Sequence, residues 1–407
     1  MLNSIFSRKL LHASTYIVAF SFTLTPFFSS MALLLFSIAS LFHIKAKNYD
    51  NQKLKIIFLL SFLFIMYLAG YYFSPNKDMA LKLLIRLSPT FFIPLLIIGT
   101  DLLTDLNLSK FINSFVIGVL TSMVLTLIYL SYTYITCGTV KLFYADLSSF
   151  LHIHPTYYSL FILTAIILML IYPTKIIASY KLILLITFTT FILLLQTKII
   201  IITMFGIYLS LLFNKKISVK ISATLMSLVI CSVVFGVFIG NSRFKQVTDN
   251  LEMGTFKENG ISQRVWLWKS ALEQIKNKPL LGYGLASQKT IYGWTIEKNL
   301  LENPNRYSYD TAVKINAKKN LHNQYLTILY EFGIIGFLLF IISTVFLFNQ
   351  VYKKNRYLSL YLFSSYLIVL STENLLDRQM GVYYNFMLYL LFIYSLLAYD
   401  KKHIEHS

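Results

Sequence analysis

Charge is scarce in this sequence, and acidic charge is scarcest: only 13% of the 407 residues are Asp, Glu, Lys or Arg, and 17 acidic side chains face 36 basic ones. A soluble globular chain carries about 25% charged residues. The deficit, with 57% hydrophobic residues and a mean hydropathy of +0.65, excludes a water-facing surface over most of the molecule. Cysteine is nearly missing too. Cys137 and Cys231 fall in different segments without ligand or redox spacing, so neither a disulfide framework nor a metal site is expected. No phosphate-binding glycine loop, metal-ligand cluster or nucleotide domain can be read, which argues against ATP-driven chemistry and against a cofactor. Internal repeats and low-complexity tracts are lacking as well. Nor does the net charge of +19 point to nucleic acid, because most basic residues flank apolar runs, where they set topology and meet membrane lipid headgroups.

What is present is apolar sequence in runs of roughly 17 to 25 residues, the length a membrane span requires. The chain reads as an all-α polytopic membrane protein of about 12 transmembrane helices. The expected spans are 10–26, 27–44, 54–73, 79–99, 109–135, 155–173, 180–196, 198–213, 217–240, 322–349, 357–372 and 381–399. Residues 10–44 and 180–213 are each nearly continuous, but a single helix over either would be on the order of 50 Å long, far beyond the hydrocarbon core. Each must turn back, at Thr25, Pro26 and Ser29 in the first and at Gln196, Thr197 and Lys198 in the second. Arg8 and Lys9 precede an apolar stretch as in a signal peptide, but no small-residue cleavage pattern follows, and a retained first span is expected.

Orientation follows from the short loops. An inner N-terminus puts Arg8, Lys9, Lys45, Lys47, Lys53, Lys55, Lys215, Lys216, Lys353 and Lys354 in the cytoplasm, while the short outer loops hold chiefly Lys77, Lys82, Lys141 and Arg378. Both termini are then cytoplasmic. The chain divides into nine spans (1–240), a long outer loop (241–321) and three spans with a short tail (322–407). Within the loop, Ser262 to Lys278 reads as an interfacial helix with Val265, Trp266, Trp268, Ala271, Leu272 and Ile275 as its apolar positions, ended by Pro279. The segment from Pro279 to Gly284 is a turn, and 290–320 is polar and Asn-rich.

The stretch from Leu321 to Gly336 is the most informative for chemistry. His322 stands at the mouth of a span, as a helix-capping or interfacial histidine or as a group that takes a proton from a hydroxyl. Gly333 and Gly336 allow close backbone approach. Arg264, on the loop helix, reads either as a side chain snorkelling to lipid phosphate or as a bidentate clamp on a diphosphate. Lys198 interrupts an apolar stretch, as a charged turn or a functional cation. Arg86, within the fourth span beside Pro89 and Pro94, needs an anionic partner or an aqueous cavity, as a structural ion pair or as a substrate contact. Glu373, Asp377 and Arg378 offer such a partner, or a second carboxylate base. Together these residues form cations and one histidine around an outer cavity, suited to a lipid-linked diphosphate donor.

These residues resemble the bacterial O-antigen ligase family, which shares its fold with O-antigen polymerases and protein O-oligosaccharyltransferases. The ligase pattern of His, then Asn, Ser or Gln, nine residues, Gly, two residues, and Gly, Thr or Tyr is met by His322, Asn323, Gly333 and Gly336. Arg264 matches an arginine ahead of a loop helix, and Pro279, Gly282 and Gly284 match a turn. Lys198 stands where the family usually has arginine, a departure that keeps the charge but loses the fork. The resemblance implies an enzyme of the bacterial inner membrane that moves a glycan from an undecaprenyl-diphosphate carrier to a hydroxyl acceptor in the periplasm, inverting and without metal. His322 would activate the acceptor, with Arg264, Lys198 and Arg86 on the diphosphate and Asn323, Glu373 and Arg378 as further substrate contacts. The lipid A core is the expected acceptor. A second lipid-linked repeat unit, the polymerase reaction, is the first alternative, and a non-catalytic polysaccharide or lipid transporter is the second.

Overall fold

The computed structural model describes residues 2–139, 143–172, 175–213, 219–238, 260–288 and 320–404. Most of 241–321, with nearly all of the Asn-rich stretch read at 290–320, lies outside the described residues, as do Lys141, Lys215 and Lys216. Among the described residues there is helix and no strand. The helices are α1 (Leu2–Ser21), α2 (Pro26–Leu41), α3 (Asn51–Tyr72), α4 (Lys77–Gly99), α5 (Leu108–Cys137), the short α6 (Asp146–Ser149), α7 (Pro155–Ile171), α8 (Lys175–Leu195), α9 (Lys198–Leu212) and α10 (Val219–Phe238). There follow α11 (Gly260–Ile275), α12 (Gln324–Lys354), α13, in which a π-helical turn (Leu358–Phe363) runs into an α-helix (Ser364–Leu370), and α14 (Gln379–Ile404). By length and composition α3, α4, α5, α12 and the Gln379–Leu397 part of α14 are able to cross a membrane. Shorter apolar helices include α2, α7, α9 and Tyr180–Leu195 of α8.

Both expected breaks are present, for local reasons. Thr25 caps α2 by accepting the Phe28 N–H, and Pro26 opens the helix, where its missing N–H costs nothing. Gln196 takes a left-handed φ of 48°, which ends α8 before Lys198 starts α9. The first helix begins earlier than expected, at Leu2, so Arg8 lies inside it. Its guanidinium donates to the carbonyls of Thr100 (2.6 Å) and Asp101 (2.9 Å) beyond α4 and to the Asp105 carboxylate. A cation there meets the negative end of the α4 dipole.

Two helices form the centre. Every side chain of α7 from Pro155 to Leu170 is buried, and α14 is buried along most of its length. They meet at Thr164 and Tyr384, whose hydroxyls lie 2.9 Å apart, and at the edge-on rings of Phe161 and Tyr384. The loop of residues 371–378 leads into the head of α14, on the same side as His154 at the head of α7. Arg8 marks the opposite end, a distance set by α3, whose 22 residues span about 33 Å.

A glycine contact docks the turn after α11 onto α12. Gly333 has a φ of 63° and interrupts α12 with a kink that turns its backbone toward the 279–284 turn. The freed groups are satisfied there: Ile334 N–H donates to the Pro279 carbonyl (2.8 Å), Tyr283 N–H to Tyr330 (3.0 Å) and Gly284 N–H to Glu331 (2.8 Å). A β-carbon on Gly333 would collide with the Leu280 carbonyl, and one on Gly282 with the Gly333 and Glu331 backbone. Gly333→Ala therefore combines a positive-φ, extended-ψ conformation that is essentially glycine-only, about 1–3 kcal/mol, with a backbone clash. A melting temperature in detergent lowered by several degrees is expected, and an unchanged one would show that the kink is dispensable.

α11 also departs from the expected face. Its buried stripe is Leu267, Ala271 and Ile275, packed on Leu321, Leu326 and Tyr330 at the head of α12, while Leu272 is exposed. Trp268, read as a headgroup anchor, donates its indole N–H to the Leu321 carbonyl at 2.7 Å. The helix is oriented by tertiary packing at spacing i, i+4, i+8, and the side chain of Trp266 lies outside the described residues.

Candidate active site

The docked turn and α11 hold Leu321, and the next residue, His322, takes the left-handed region with φ 47°. Such a conformation costs a non-glycine residue roughly 1–2 kcal/mol and is found where surrounding contacts enforce it. Here the His322 N–H donates to Asn320 Oδ1 at 3.1 Å, and Asn323 is fixed from both sides. The Asn323 N–H donates to Asn374 Oδ1 at 2.8 Å, while its side-chain oxygen accepts the Leu326 N–H as the N-cap of α12. Expected as a substrate contact, Asn323 thus spends its side-chain oxygen on the helix.

The imidazole faces Glu373. His322 Nδ1 lies 3.4 Å from Glu373 Oε2, and Arg264 Nη2 donates to Glu373 Oε1 at 3.1 Å. Arg264 Nη1 binds the Thr372 carbonyl at 3.1 Å, so two of its five N–H donors clamp the 371–378 loop. Glu373 is only 4% exposed, against 27% for His322 and 32% for Arg264. The carboxylate therefore works from behind, holding a histidine and an arginine toward the open side.

His154 joins this group, and the sequence reading did not single it out. It caps α7 through Nδ1, which accepts the Thr156 N–H. Glu373, His322, Arg264 and Arg378 are its charged neighbours. Tyr157, one turn along α7, reaches the exposed Arg378 with its hydroxyl. The available signal was a histidine directly before a span-opening proline on the outer side, as His322 stands directly before a span.

Arg86 reaches the loop that carries Glu373. Arg86 Nη1 binds the Asp377 carbonyl at 3.2 Å, and the side chain borders a cavity of about 460 Å³ with Ser30, Gln379 and Tyr383 at its polar end and Leu34, Leu41 and Phe92 along it. An anionic partner or a cavity was expected for Arg86, and it has a backbone carbonyl of the loop in place of a carboxylate together with a place on the cavity wall. The Asp377 side chain is buried and instead takes Tyr67, Gln324, Gln288 and Asn374 as donors at 3.0 to 3.4 Å. Lys198 is the first residue of α9, and Thr197 before it donates to Ser159, in the second turn of α7, at 2.8 Å.

Burial pushes the Glu373 carboxyl up, but the hydrogen bond from His322 and the charges of His322, His154 and Arg264 outweigh it, leaving the group below the ordinary glutamate range. For a depressed carboxyl the stabilisation is present above the unfolded value and is lost as pH falls through the folded one. Parent protein is expected to exceed Glu373→Gln by about 1–3 kcal/mol at pH 7, the scale of a charged hydrogen bond. That advantage begins to shrink only below the ordinary glutamate value of about 4.3. Thermal unfolding in detergent across this range checks it, and an advantage already gone at about pH 6 would contradict the pairing.

The arrangement can accept a proton at His322 and stabilise anionic oxygen at Arg264, with Arg378 beside it. No curated protein sequence matches the chain. Residues 182–341 match the family model described as O-antigen ligase, a segment that carries Lys198, Arg264, His322 and both glycines of the α12 kink region. Over that segment, which supplies the histidine and the arginine that meet on the buried Glu373, the chain is similar to the O-antigen ligase family.

Proposed function

We propose that this protein is an O-antigen ligase, transferring a glycan from an undecaprenyl-diphosphate carrier to the lipid A core at the periplasmic face of the bacterial inner membrane. The family match supports a membrane glycosyltransferase acting on lipid-linked glycans. The single observation carrying the finer reading is the series Arg264, Glu373, His322, in which one buried carboxylate positions a base and an anion-binding guanidinium together. In this scheme the chain crosses the membrane twelve times with both termini cytoplasmic, and 241–321 is the periplasmic loop between spans nine and ten.

With Nδ1 turned to Glu373, His322 offers Nε2 to the acceptor hydroxyl. The hydroxyl oxygen attacks the anomeric carbon from the face opposite the diphosphate and its proton passes to Nε2. The bond from that carbon to the phosphate oxygen breaks, and its electron pair stays on the diphosphate. The configuration is inverted, and Arg264, Lys198 and Arg86 stabilise the leaving charge without a metal. Arg378, exposed beside Tyr157, meets the glycan or its phosphate. The 3.4 Å spacing of His322 and Glu373 is long for a hydrogen bond, as is common before substrate tightens a site.

The test is reconstitution in vesicles with an undecaprenyl-diphosphate glycan and either lipid A core or a second lipid-linked repeat as acceptor. Transfer to the core that is indifferent to chelator supports the ligase. Ladders of repeats formed without core would mean polymerase, and glycan movement without any transfer would mean a transporter.

A further inference from the structure

The Asp377 side chain has no task in the transfer scheme above, although its buried carboxylate gathers donors from four segments: Tyr67 of α3, Gln288 after α11, Gln324 of α12 and Asn374 of its own loop. The bonds are ordered by oxygen. Oδ2 takes Gln288 Nε2 at 3.3 Å and Asn374 Nδ2 at 3.2 Å, and each of these carboxamides turns its own oxygen to a backbone N–H. Gln288 Oε1 accepts from Leu321 at 3.4 Å, and Asn374 Oδ1 accepts from Asn323 at 2.8 Å. Leu321 and Asn323 are the chain neighbours of His322. Oδ1 takes the Tyr67 hydroxyl at 3.0 Å and Gln324 Nε2 at 3.4 Å, and Gln324 Oε1 accepts the Leu376 N–H at 3.0 Å, back in the loop that carries Glu373. Gln288, Gln324 and Asn374 are buried as well.

A carboxylate only accepts, whereas a carboxamide accepts at its oxygen and donates at its nitrogen. One fixed acceptor therefore decides which way three carboxamides lie. Each gives Asp377 its NH2 and keeps its oxygen for the peptide N–H on its other side; turned over, it would set NH2 against N–H and oxygen against carboxylate. The left-handed backbone of His322, φ 47°, is thus bracketed by two N–H groups whose bonds run back to a single oxygen atom. We infer that Asp377 is a positioning residue for His322. Through Gln288 and Asn374 it fixes the residues on either side, and with them the direction in which the imidazole leaves the backbone and meets Glu373. Its effect on rate rests on the transfer reading above. Bonds already made among buried side chains place the base before substrate arrives, and a displacement of about 1 Å costs up to about 10²-fold.

Asp377→Ala removes both anchors of the bracket while keeping the backbone carbonyl that holds Arg86. Gln288→Met, an unbranched replacement, cuts only the arm to Leu321. In the vesicle assay the alanine variant is expected to lose about 10- to 100-fold in kcat with donor KM close to the parent's, and the methionine variant to lose less in the same direction. Because the effect passes through His322, it should all but vanish when either substitution is made in His322→Asn, a non-additivity that general loosening of the fold would not produce. Parent-like kcat in both variants overturns the inference, and so does a loss of equal size in the two backgrounds. Should the alanine variant not fold, the methionine variant measured in both backgrounds decides in the same way. A parent that transfers nothing sinks the transfer reading, and the positioning is then read directly. The ring NMR signal of His322, identified by its absence from His322→Asn, moves in Gln288→Met if the bracket positions the histidine, and an unmoved signal overturns the inference.

Discussion

Replacing His322 by asparagine is expected to leave a folded protein that transfers glycan about 10²- to 10⁴-fold more slowly, the range for removal of a general base. Asparagine is the informative choice because residue 322 has φ 47°, a region that asparagine tolerates better than most side chains. Its amide cannot take the hydroxyl proton. The loss should fall on kcat with little change in donor KM, since the base acts on the acceptor oxygen in the transition state. Single-turnover rates in vesicles measure it. A variant within about threefold of the parent would show that His322 only orients the acceptor and that positioning and charge carry the reaction.

Arg264→Lys is the second large effect. The arginine bridges the Thr372 carbonyl and Glu373 with two nitrogens of one planar group, and a single ammonium cannot hold both while facing a ligand. Transfer should fall about 10²- to 10³-fold, as when a preorganised donor to developing charge is removed. Arg264→Ala should be worse in a second respect, because it takes its arginine partner from Glu373, 4% exposed, and frees the loop that orients the base. Melting temperature distinguishes the two: near the parent's for lysine, lowered for alanine. Equal activity of lysine and parent would mean that charge without geometry suffices.

The protein shows where sequence logic reaches. Thr25 with Pro26, and Gln196 with Lys198, were legible as turns because capping, proline geometry and the thickness of a bilayer act locally. The Pro279 to Gly284 turn and Gly333 were legible as conformationally special, though their docking on each other was not. His322 and Arg264 stood out by position and by their family pattern. His154 did not, since its capping bond and its neighbours come from opposite ends of the chain: Thr156 is two residues away, Glu373 more than two hundred. The partner expected for Arg86 among Glu373, Asp377 and Arg378 proved to be the Asp377 carbonyl, while Glu373 went to Arg264 and His322.

The sequence by itself determined an apolar helical chain, its turns, and a histidine and an arginine at positions that fit a family pattern, because hydropathy, turn propensity and fixed charge belong to residues. Tertiary structure alone decided which carboxylate the histidine and the arginine share, which group each Nδ1 of His154 and His322 meets, and which face of α11 is buried. Those depend on distances between segments far apart in the chain, where a hydrogen bond forms within about 3 Å or not at all.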